Sequence, residues 1–137
     1  MTLVLDSSAA LAWSFVDETT PAIDDVMGQV AAVGAVVPAL WRLEVANVLQ
    51  IAVRRRRITA HHRDSALTIL GAMDIRTDPE TDRYAWSTTL RLADRFGLTV
   101  YDASYLELAQ RLSLPLASLD RALRVAAIGA GVDLLGE

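Results

Sequence analysis

The sequence predicts an α/β domain built on a mainly parallel central sheet. Two observations carry that prediction. Short apolar runs alternate with longer helical patterns along almost the whole chain, as in "MTLVLD" followed by "SSAALAW". The runs are nearly continuous in apolar residues rather than alternating with polar ones, which suits strands covered by helices on both faces.

Taken in order, "TLVLD" reads as a short buried strand, followed by a helical pattern through Phe15. Thr20-Pro21 announces the second helix, a capping residue followed by proline at the first helical position, with Asp24 and Asp25 near its start. Gly34 closes it, and "AVVP" is the next strand. Pro38 leads into the helix of "ALWRLEVANVLQIAVRRRR", and Thr59 caps another that runs to about Gly71. "MDIRT" is the third strand, and Asp78-Pro79 opens a helix that stops at Gly97. "LTVYD" reads as a strand with a helix to about Leu112, and "PLASLD" as a strand with a helix to about Ala127. A short "VDLL" closes the chain.

The length, 137 residues, suits a single domain over 1–137, and 53% hydrophobic residues provide for a real core. The longest apolar run, "AAVGAVVPALW", is shorter than the roughly 18 residues of a membrane span. The N-terminus carries no basic region, and Asp6 interrupts its apolar stretch, so the expectation is a cytoplasmic protein with no membrane association. With no cysteine, disulfides and thiolate metal sites are excluded. The net charge of −4 argues against a generally basic nucleic-acid-binding surface, but leaves room for an acidic, cation-filled site. All thirteen cationic residues are arginine, which fits codon usage in a GC-rich genome.

Four acids stand out: Asp6, Asp102 and Asp120, each read as following a strand, and Glu44 within a helix. Parallel strands end at one edge of their sheet, and ligand sites gather outside it, so the acids are expected to converge there. Capping is the competing account of the aspartates, at about 1 kcal/mol each. Glu44 resists it, because Leu40, Asn47 and Ile51 share its helix face. Converging carboxylates repel by about 4 kcal/mol per pair at about 4 Å and an effective dielectric near 20. A hard divalent cation, Mg²⁺ or Mn²⁺, is the simplest remedy for an all-oxygen set. No P-loop, dinucleotide fingerprint, nucleophile elbow or HExxH motif is present, so the residues reach as far as a nuclease or phosphatase.

In "VLDSSAALAW", "PALWRLEVANVL" and "LTVYDASYLELAQRLSLPLASLD", in this order and spacing, the chain resembles PIN-domain proteins, specifically VapC-type toxins of bacterial toxin–antitoxin pairs. The resemblance covers essentially the whole chain. It implies a PIN-like α/β/α sandwich with about five short strands, and metal-dependent endoribonuclease activity. Asp6, Glu44, Asp102 and Asp120 would be the catalytic quartet, holding one or two Mg²⁺ or Mn²⁺ ions. Ser118 would orient a ligand or water, Ser8 would support the first aspartate or simply its cap, and Asn47 would hold a ligand or a water beside Glu44. A VapB-type antitoxin, an RNA substrate and a homodimeric partner copy are the implied partners. Two other readings compete: an inactive PIN-fold scaffold, and a receiver-like phosphoacceptor domain, which the absence of lysine disfavours.

The run Arg54, Arg55, Arg56 and Arg57 fits either phosphate or antitoxin contact, or the preference of cations for a helix C-terminus. His61-His62 are read as surface residues, Asp17-Glu18 as a solvated loop that could border the acidic pocket, and Glu80 as a helix-start charge. Trp13, Trp41 and Trp86 are read as core or interface packing.

Overall fold

The structure is a computed structural model describing residues 2–137. Within them lie five strands: β1 (Leu3–Leu5), β2 (Ala35–Val37), β3 (Ile75–Thr77), β4 (Leu116–Ala117) and β5 (Leu134–Leu135). Eight helices connect them: α1 (Ser7–Ser14), α2 (Pro21–Val33), α3 (Trp41–Arg54), α4 (Ala60–Ala72), α5 (Thr81–Ala85), α6 (Thr88–Phe96), α7 (Val100–Leu112) and α8 (Arg121–Gly129). Every strand pair is parallel, in the order β3-β2-β1-β4-β5, with Val4 opposite both Val36 and Leu116. This is the α/β/α arrangement that the alternation predicts.

The strand order decides where a ligand belongs. From β1 the chain steps outward through β2 to β3, then crosses back to the other side of β1 for β4 and β5. Right-handed crossovers in opposite directions put their helices on opposite faces. Accordingly α1 packs on α2 and α3, and α3 on α4, whereas α7 packs on α6, α8, β1 and β4. Strand order reverses between β1 and β4, and the crevice at their carboxyl ends is the natural ligand position. Leu3, Val4 and Leu5 are fully buried and share one core with Ile23 and Met27 of α2 and Tyr105, Leu106 and Leu108 of α7.

Several elements start and stop as the sequence dictates. The hydroxyls of Thr20 and Thr59 accept from the amides of Ile23 (3.2 Å) and His62 (3.0 Å), capping α2 and α4. Gly34 ends α2 at φ 83°, and a Cβ there would stand 2.8 Å from the Asp74 carbonyl oxygen that also receives the Ala35 amide. Left-handed backbone and lack of space both demand glycine. Gly34→Ala is expected to cost about 1–3 kcal/mol, measured as a shift of the urea midpoint without change of slope.

Two expectations are corrected. "LTVYD" is not a strand: Leu98 follows the left-handed Gly97, and Thr99 caps α7 by accepting from the Asp102 amide at 3.1 Å. The β-branched composition suggested a strand, but burial of residues 103–109 on α7 outweighs local propensity. The helix expected to run from Asp78-Pro79 to Gly97 is two, α5 and α6, broken at Trp86-Ser87. Ser87, Thr88 and Thr89 are weak helix formers, and the Ser87 hydroxyl turns to the Tyr84 carbonyl. Trp41 is core and Trp13 partly so, but Trp86 is 94% exposed.

Candidate functional site

Asp6 leaves β1 at the switch point. Its amide donates to the Ala117 carbonyl of β4, and its carboxylate, though at the start of α1, makes no cap bond. Instead Oδ2 accepts from the hydroxyls of Ser8 (2.6 Å) and Ser118 (2.7 Å). The same hydroxyls accept from the amides of Leu119 (2.9 Å) and Asp120 (3.0 Å). Both serines thus lock the loop after β4 onto Asp6, and among the described residues Oδ1 receives no hydrogen bond. Burial pushes the Asp6 carboxyl up to about 6; the serine bonds oppose this, and the charges of Glu44 and Asp102 add to it.

Glu44 sits in the first turn of α3 and accepts a hydrogen bond from the Tyr105 hydroxyl of α7. Burial raises its carboxyl above the ordinary value; the Tyr105 bond opposes this and the charge of Asp102 adds to it. Burial, the charge of Glu44 and the neighbouring Asp6 hold the Tyr105 hydroxyl protonated, so it stays a donor. Asp102, in the first turn of α7, is also raised, by burial and then by the charge of Asp120. Asp120 caps α8 through the Leu123 amide at 2.8 Å.

Capping therefore accounts for Asp120 alone. Asp6 makes no cap bond, and Thr99 does the capping for α7. Asp6 feels the charges of Glu44 and Asp102, Glu44 that of Asp102, and Asp102 that of Asp120, and no ion pair among the described residues involves any of the four acids. They do not form a closed cage: among the described residues, no three His, Asp or Glu side chains stand close enough to hold an ion together. An open carboxylate rim suits Mg²⁺ better than a cage, because that ion keeps several waters and takes one or two carboxylates plus substrate phosphate.

Of the supporting residues, Ser8 and Ser118 lie against Asp6, whereas exposed Asn47 makes no hydrogen bond to any of the acids. His62 bonds the Ser14 carbonyl at 2.9 Å and His61 is exposed, away from any ligand role. Tyr105 was not singled out by the sequence reading, although it lies three residues after Asp102 on the same helix face. A separate buried cluster also escaped that reading. Arg111 bridges Asp78 (2.6 Å), Glu107 (2.9 Å) and Glu80 (3.4 Å), so Glu80 pairs with arginine rather than serving as a helix-start charge alone.

The PIN domain family matches residues 3–129. Among solved structures, PAE2754 from Pyrobaculum aerophilum is similar at 25% identity and a TM-score of 0.67, over 98% of this chain and 83% of that one. FitAcB from Neisseria gonorrhoeae shares the fold at 15% identity and a TM-score of 0.64, over 98% of this chain and 96% of that one. No curated protein matches the chain. With a family match over nearly its whole length, the chain belongs to the PIN-domain family.

Proposed function

We propose that this PIN domain is a metal-dependent endoribonuclease, the VapC-type toxin of a toxin–antitoxin pair. Asp6, Glu44, Asp102 and Asp120 would hold one or two Mg²⁺ or Mn²⁺ ions. The observation that carries the reading is the unpaired acidic rim at the β1–β4 switch point. Burial and mutual repulsion raise three of its carboxyls, and no arginine neutralises them. PIN domains are generally metal-dependent nucleases, which supports the same conclusion. The reading extends to a cytoplasmic homodimer restrained by a VapB-type antitoxin; no helix among the described residues is long and apolar enough to cross a membrane.

When bound, the ion polarises the phosphoryl oxygen and makes water a stronger nucleophile. The chain's residues supply position. Ser8 and Ser118 donate to Oδ2 of Asp6 and Tyr105 donates to Glu44, so both carboxylates that would hold the cation are fixed by hydroxyls. Asp102 presents its carboxylate at a helix N-terminus, where the backbone amides favour negative charge.

Purified, antitoxin-free protein incubated with total bacterial RNA is expected to produce discrete new ends only with Mg²⁺ or Mn²⁺. Asp102→Asn and Glu44→Gln are each expected to lower the cleavage rate on the order of 100-fold. Cleavage indifferent to metal and to both substitutions would exclude the mechanism. No cleavage under any metal would favour a PIN-fold scaffold.

A further inference from the structure

The arginine run divides in the structure. Arg54 ends α3, Arg55 follows it, and Arg56 takes left-handed backbone at φ 58°. That reversal brings Arg57 back against α1. Its amide donates to the Ala52 carbonyl at 2.9 Å, and its guanidinium lies 4.1 Å from the centre of the Phe15 ring. Nη2 reaches Glu18 at 3.0 Å and Asp17 at 3.3 Å. Nε and Nη1 have no partner among the described residues, and Arg54, Arg55 and Arg56 make no ion pair among them. Of the four, Arg57 alone lines a groove of about 440 Å³ that is also lined by Ser8, Leu11, Val48, Leu119 and Asp120.

We propose that Arg57 is a substrate-positioning residue, gripping an RNA phosphate next to the one cleaved, and that Asp17 and Glu18 occupy it until RNA arrives. The inference rests on the ribonuclease reading and deepens it. An acidic rim repels every phosphate that the bound cation does not touch, so an incoming strand needs a fixed positive group one step along the groove. A guanidinium whose carbon sits 4.1 Å over a phenylalanine ring is held in place by that contact and keeps its fork of donors, the geometry that phosphate accepts in pairs. The side chain is 44% exposed, and ion pairs of such exposure exchange readily. A dianionic lip of Asp17 and Glu18 therefore serves as a displaceable stand-in for the phosphate.

The test is binding of an RNA oligomer across a salt series at fixed Ca²⁺, which replaces Mg²⁺ so that the strand is bound without being hydrolysed. Arg57→Met is expected to reduce the log–log salt slope by about 0.7, the value of one single-strand phosphate contact. Arg57→Lys should keep the slope and weaken binding only in part, and Asp17→Asn/Glu18→Gln should tighten binding. Arg95→Met is the control, since Arg95 also stacks on a phenylalanine, Phe96, but does not line the groove. Failure of the parent protein to bind RNA overturns the ribonuclease reading and this proposal together. Parental binding with the same slope in Arg57→Met, or an equal loss in Arg95→Met, overturns the proposal alone.

Discussion

Replacing Arg111 with methionine is expected to lower stability at pH 7 by about 3–5 kcal/mol, the cost of leaving buried carboxylates without their partner. The guanidinium is 17% exposed, while Asp78 and Glu107 are 5% and 4% exposed, and it spans both while lying 4.7 Å from the Tyr84 ring centre. Methionine supplies apolar volume but none of the donors. Burial alone would push the Asp78 carboxyl up; the Arg111 bonds and charge, with the Glu80 amide and Thr81, outweigh it and hold the carboxyl below its ordinary value. In the parent that pairing contributes stability above pH 4, lost as pH falls through the depressed folded value. In the variant Asp78 has no such partner and takes up a proton more readily. The gap between parent and variant should therefore narrow as pH falls from 7 towards 4 in chemical denaturation. A gap that stays constant across that range would mean the loss comes from packing rather than charge. Adding Asp78→Asn and Glu107→Gln to Arg111→Met should recover part of the stability at pH 7.

The Arg111 cluster also marks a limit of sequence reading. Glu107 and Arg111 are a helical i, i+4 pair, legible in principle as a surface salt bridge. Nothing local announces that this face of α7 is buried, or that Asp78, 33 residues earlier, comes to meet it. Burial of that kind is a property of the assembled layers. The same reason explains "LTVYD": its β-branched residues fit a strand, and only the demand for a central helix against β1 and β4 makes Thr99 a cap. Where local chemistry suffices, as at Thr20-Pro21, Gly34 and Thr59, the elements begin and end as expected.

The candidate site stands out in the sequence through a mismatch between residue type and surroundings. Asp6 follows three apolar residues in a strand, and Glu44 interrupts a helix face otherwise largely apolar. Such local conflicts are expected where function outweighs stability. Which acids cap and which stay free was not legible, because aspartate begins helices for either reason. Geometry separates them: Asp120 bonds an amide of its own helix, whereas Asp6 turns to two serines from different elements. Ser118 was placed through the family resemblance and Tyr105 not at all, since contact across 61 residues to Glu44 depends on how α3 and α7 meet.

Asp6→Asn is expected to stabilise the metal-free protein at neutral pH while abolishing the proposed RNA cleavage. The carboxyl rises from 3.8 unfolded to about 6 folded, so ionising it opposes folding. Below the unfolded value both states hold the proton and there is no penalty. Between the two values the unfolded chain ionises first, and stability falls as pH rises until the folded group ionises as well. Above about pH 6 the deficit is constant, on the order of 3 kcal/mol at about 1.36 kcal/mol per unit. Asparagine keeps an oxygen for the Ser8 and Ser118 hydroxyls and puts an uncharged amide nitrogen in place of Oδ1. The variant should therefore exceed the parent at pH 7.5 with chelator present, and match it near pH 4. Mg²⁺ at a thousandfold excess over Kd should reverse the order by stabilising the parent by about 4.1 kcal/mol and leaving the variant unchanged. A variant no more stable than the metal-free parent at pH 7.5 would show that the Asp6 carboxylate is not held against its own ionisation. The argument for a cation at the β1–β4 crevice would then rest on the family alone.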